Sequence, residues 1–137
     1  MNPIVRNILA VLAGIIIGGI INMGIITLSS SIIPVPEGVN TNDLNSIRDN
    51  IHLYQPKHFI MPILAHALGV LSGAYATVRI AASKHLSLAL IIGAFFLIGG
   101  SMMVYYIPEQ PIWVAASDLL LAYFPMAWLG WKIAPKE

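Results

Sequence analysis

Long apolar runs alternate with short polar breaks along this chain. The runs cover about residues 6–28, 58–80, 86–106 and 112–131, and the only long polar segment, 29–57, separates the first from the rest. Each run has roughly the 20 residues that an α-helix needs to cross the hydrocarbon core of a bilayer. The pattern predicts an all-α, polytopic membrane protein: a single domain over residues 1–137, folded as a four-transmembrane-helix bundle with an external loop.

Local signals refine the elements. The first run follows Arg6, as in a signal peptide, but it is longer than the ~7–15 apolar residues of such a peptide. It therefore reads as an uncleaved helix. In the polar segment, Pro34, Pro36 and Glu37-Gly38 form an extended turn. Asn40 or Thr41 then caps a short helix in which Leu44, Ile47 and Ile51 make one apolar stripe. Such a helix lies on the membrane surface or over the end of the bundle, or serves as a lid or docking element. Pro56 opens the second span, Arg79, Lys84 and His85 bracket a tight turn, and Pro108-Glu109-Gln110-Pro111 makes another. Gly18-Gly19 recurs as Gly99-Gly100, but no offset relates the second span to the fourth, so no internal repeat is assigned.

Composition sharpens the class. The chain is 58% hydrophobic and 9% charged, against about 25% charged in soluble domains. A net charge of +1, with no clustered Lys/Arg face, excludes nucleic acid as a partner. The absence of cysteine excludes disulfides and thiolate chemistry. No Asn-x-Ser/Thr sequon occurs, consistent with a bacterial cell (inner) membrane. Of the seven Lys and Arg, Arg6, Arg79, Lys84, Lys132 and Lys136 fall at one end of the spans, while Arg48 and Lys57 fall at the other among acidic residues. The positive-inside rule puts both termini in the cytoplasm and loop 29–57 outside. Trp113 and Trp131, about 27 Å apart at the helical rise, are interfacial anchors.

The candidate chemistry is one polar layer. Asp118 interrupts the fourth run and has no basic residue at i±3 or i±4. An ionisable residue in a span is costly and marks a functional site by default. Counted inward from the outer ends of the spans, Asn22, His66, Ser101 and Asp118 all come out about 8–10 Å deep. Asn22 continues a small-residue face with Gly14 and Gly18, and His66 shares one with Gly69 and Gly73; such faces let helices approach closely and polar groups bond across. Pro125 removes a backbone bond to the Leu121 carbonyl and bends the fourth span. Tyr123 and Tyr75 read as packing residues. His66 and Asp118, even with His58 nearby, are too few ligands to define a metal site, and no cofactor is implied.

Three functions fit. The leading one is a small oligomeric membrane protein whose Asn22–His66–Asp118 layer binds or conducts a proton, cation or small solute. In the second, the protein is a structural or accessory subunit, the layer only holds the helices together, and the loop docks a membrane partner. The third is a lipid-modifying enzyme using His66 and Asp118 as acid and base; no GxSxG, HExxH, Walker or CxxC motif supports catalysis. The expected surroundings are the lipid bilayer and either further copies of the chain or a membrane protein partner. A thin four-helix bundle would carry a path between protomers rather than through one.

Overall fold

A computed structural model describes residues 1–135 of the chain; Lys136, counted above among the basic residues, lies outside them. The described residues fold into helices and connecting turns, and four helical stretches are long and apolar enough to cross a membrane.

Helix α1 spans Pro3–Ile32. It is longer than the apolar run because its ends are set by local chemistry. Asn2 Oδ1 accepts from the Ile4 N–H at 2.8 Å, just ahead of Pro3, and proline fits a first helical turn whose N–H groups have no helical partner. At the other end Ile33 precedes Pro34 and turns extended (φ −126°, ψ 93°), as the steric demand of proline imposes on the residue before it.

The polar segment holds α2 (Leu44–Asp49) and a single 3₁₀ turn, Ile51–Leu53. The cap is Asp43, whose Oδ1 accepts from the Asn45 N–H at 2.9 Å, not Asn40 or Thr41. Asn40 instead closes a turn onto the Asn42 N–H, and its own N–H donates to Ser46 Oγ. The apolar stripe is shorter than expected, since Leu44 is exposed. Ile51 is buried with Phe59, Ile107 and Val114, and Ile47 and Tyr54 pack on them. The segment thus caps one end of the bundle, a lid in the sense of packing alone. Burial there pushes the Tyr54 phenol above its ordinary pKa.

Helices α3 (Lys57–Ile80) and α4 (His85–Tyr106) follow the expected bounds. The fourth run does not form one helix. It divides into α5 (Ile112–Leu121) and α6 (Phe124–Ile133), with Tyr123 out of helical geometry at φ −111°, ψ −83°. Pro125 has no N–H for the Leu121 carbonyl, so the helix is weakest at this point.

Helix α3 is the hub, packing on α1, α4 and α6. Its contact with α1 is made backbone to backbone. A Cβ built on Gly14 would lie 2.6 Å from the Gly73 carbonyl oxygen, and one on Gly73 would lie 2.6 Å from that of Gly14. One turn away, a Cβ on Gly18 would lie 2.7 Å from the Gly69 oxygen. Fully buried Thr77 shares its hydroxyl proton between the carbonyls of Gly73 (2.9 Å) and Ala10 (3.2 Å). On the other side of α3, Val70, Ala74 and Val78 form a core with Ala89, Ile92, Tyr123 and Ala127. At the end opposite the lid, Arg6 Nε donates to the Ile80 carbonyl at 2.6 Å, and Asn7 Oδ1 accepts from the N–H groups of Ala82 and Ser83. The start of α1 thereby fastens the α3–α4 turn.

Because the α1–α3 contact has no room for a side chain, Gly73→Ala is expected to destabilise the bundle by about 1–3 kcal/mol, the usual cost of overpacking. Gly19→Ala, where nothing lies within 4 Å of the added carbon, should be neutral or stabilising, since alanine is the better helix former. Chemical unfolding of both variants in mild detergent, followed by circular dichroism, separates the two.

Candidate functional site

A carboxylate among apolar helices needs donors, and the fold supplies two. Asp118 stands on α5, His66 faces it from α3, and Tyr123 comes from the break between α5 and α6. His66 Nδ1 lies 2.8 Å from Asp118 Oδ1, and the Tyr123 hydroxyl donates to Asp118 Oδ2 at 2.8 Å. The Tyr123 oxygen also lies 3.0 Å from His66 Nδ1, which closes the triad. Asp118 is 7% exposed and Tyr123 1% exposed, whereas the His66 side chain keeps 22% of its surface.

The protons can be placed from the donor and acceptor inventory. The tyrosine proton goes to Oδ2. If the carboxylate is ionised it only accepts, and in that state Nδ1 is the protonated nitrogen and donates to Oδ1. The neutral imidazole then has its lone pair on Nε2, which makes no hydrogen bond within the described residues. Tautomer follows from the bonding partners, as it does for any histidine held by a carboxylate.

Each position depends on its element. Tyr123 follows Asp118 by five residues, about 140° away around a regular α-helix, so an unbroken fourth helix would turn the two side chains apart. The break at Pro125 lets the phenol return to the carboxylate. Space for it is made on α4 by Gly100, where an added Cβ would collide with the Tyr123 hydroxyl.

Of the residues expected in the polar layer, the structure joins His66 and Asp118 and leaves the others apart. Asn22 packs on Gly69, one turn along α3 from His66, with its buried Oδ1 lacking a donor. Ser101 lies on the exposed face of α4 beside Met102 and Tyr105, turned away from the triad; its neighbour Gly100 is the residue that faces inward. Equal depth placed Ser101 in the layer, but depth says nothing about which way a helical side chain points. Gly14, Gly18, Gly69 and Gly73 are at the α1–α3 contact. Tyr123, read from the sequence as packing, is the third member of the site. Its signal was the proline two residues later, which makes a neighbour out of a residue at i+5. Among the described residues no three His, Asp or Glu side chains gather into a group able to hold a metal ion.

Comparison with known proteins adds no relative: no family model matches the chain, and neither a curated protein nor a solved structure is similar to it.

Hydrogen bonds to a charged group contribute about 1.5–3 kcal/mol. Tyr123→Phe keeps the ring and removes only the hydroxyl, so it should destabilise the protein by about that amount at neutral pH. Asp118→Asn already lacks the carboxylate charge, and in that background the same change should cost markedly less. A double-mutant cycle on the two positions measures the difference.

Proposed function

We propose that this chain is a small polytopic membrane protein whose His66–Asp118–Tyr123 triad binds and releases a proton within the spans, as part of moving a proton or a proton-coupled solute across the bilayer. The observation that carries the reading is the His66 Nδ1–Asp118 Oδ1 contact of 2.8 Å between two apolar helices. Ionisable pairs in such places serve proton relays, and imidazole is the side chain that changes charge in the physiological range. Asp118 orients the ring, Tyr123 fixes the second carboxylate oxygen, and His66 Nε2 is the atom that takes the proton. Among the described residues the titratable groups facing His66 are Asp118 and Tyr123, and α1 and α4 carry none at that level. The positive-inside rule, applied to the basic residues near Arg6 and the α3–α4 turn, supports a reading in which that end is cytoplasmic. The bundle is thin, so we place the path at a contact between copies of the chain.

One observation favours a structural role instead: both carboxylate oxygens of Asp118 are bonded, and buried polar networks with every member satisfied hold helices together.

Vesicles with an internal pH-sensitive dye distinguish the two. Purified wild-type chain should dissipate a pH gradient at least tenfold faster than empty vesicles. Asp118→Asn and His66→Gln should return to background while remaining helical and of unchanged mass. Wild-type vesicles no faster than empty ones, with Asp118→Asn only less stable, would leave the structural role. A strictly monomeric mass in nanodiscs would remove the path between copies.

A further inference from the structure

A second polar site lies at the end of the bundle away from the lid, and the triad does not use it. Arg6 of α1, Arg79 in the last turn of α3 and His85 at the start of α4 line a recess of about 120 Å³ together with the Ala81–Ala82 turn and Pro135. That volume has room for a tetrahedral oxyanion.

Among the described residues its charge is one-sided. Glu37, Asp43, Asp49 and Glu109 belong to the lid and the turn beside it, and Asp118 is held in the triad. No other carboxylate stands among the described residues, so nothing described balances the two guanidinium groups at this end. Arg79 makes no hydrogen bond or ion pair within the described residues. Among the described residues Arg6 bonds through Nε alone, to the Ile80 carbonyl at 2.6 Å, and its terminal N–H donors have no partner there. Asn7 holds the turn in place through the Ala82 and Ser83 N–H groups, so the recess is formed in advance of any ligand. The first turn of α4 opens beside it without a side-chain cap, which adds the positive end of a 22-residue helix.

We propose that this recess binds a phosphate group, with Arg79 and Arg6 as the principal donors and His85 beside them. Guanidinium groups bond phosphate oxygens in pairs, and basic pockets between spans at the headgroup level take anionic lipids. The phosphate is that of an anionic lipid headgroup or a free one. Only the lipid source rests on the membrane reading, and neither source rests on the proton reading.

The test is a binding titration of the full chain in uncharged detergent with inorganic phosphate and, separately, with short-chain phosphatidylglycerol. Short-chain phosphatidylcholine, whose choline cation the arginines repel, is the control. Wild type should bind at least one of the two anionic probes and not the control. Arg79→Gln should weaken that binding about tenfold, Arg79→Lys should recover part of it, and Arg48→Gln at the opposite end should leave it unchanged. Binding of phosphatidylglycerol alone assigns the site to lipid; binding of inorganic phosphate, alone or in competition with the lipid, assigns it to free phosphate. Asp118→Asn should bind as wild type does, so loss of the proton reading would leave this site standing. Failure of both probes to bind, wild-type binding by Arg79→Gln, or an equal loss in Arg48→Gln overturns the proposal.

Discussion

The triad and the break in the fourth stretch that serves it depend on one constraint: a carboxylate cannot sit unpartnered among apolar helices. Taking an ion out of water costs several kcal/mol even after the protein relaxes, and Asp118 is almost wholly covered. The fold meets that cost with two donors from two places, the His66 imidazole and the Tyr123 hydroxyl. Neither is available by default. His66 reaches Asp118 only because α3 packs against the fourth stretch along its length, and Tyr123 reaches it only because that stretch is broken. The break is thus part of the site. A continuous helix would have better backbone bonding and a worse carboxylate.

The second constraint is steric and acts on the far side of α3. For helices long and apolar enough to lie in lipid, which offers no hydrophobic drive to bring them together, contact has to come from close packing. The Gly14–Gly73 and Gly18–Gly69 contacts bring backbone against backbone, and Thr77 bonds across to α1 where the helices are nearest. Helix α3 is therefore held on one face by shape and on the other by charge. This explains why Asn22, on the steric face, is not joined to the triad although it lies one turn from His66. Its buried oxygen occupies a contact whose geometry is set by glycine rather than by hydrogen bonding.

The architecture was legible in the sequence because run length and polar punctuation carry it directly. Four apolar stretches, the two turns between the later ones and the helix-breaking prolines of the long loop appear near their expected places, although α1 runs past its apolar run and the fourth stretch is divided. The caps were less legible, since Asn40, Thr41 and Asp43 are all competent caps and the choice among them is made by the turn that precedes the helix. Within the site, His66 and Asp118 could be found by type and depth. Ser101 was misplaced and Tyr123 overlooked for one shared reason: depth along a helix can be counted from the sequence, but direction around it requires knowing where the helix is regular. Pro125 marked the irregularity. Its consequence for a residue five positions from Asp118 could not be computed without the angle of the break.

The structural and chemical readings of the triad ask for the same atoms in the same places. Holding the helices together uses Nδ1 of His66, both oxygens of Asp118 and the hydroxyl of Tyr123. Binding a proton uses Nε2, which the network leaves out. A proton arriving there breaks neither bond to the carboxylate, because Nδ1–H still donates to Oδ1 and Tyr123 still donates to Oδ2. A network that is satisfied in both protonation states can hold the bundle and change its charge without reorganising it. Stability of the triad is therefore no argument against its chemistry. What separates the two roles is whether Nε2, on the one partly exposed side chain of the three, meets a proton donor.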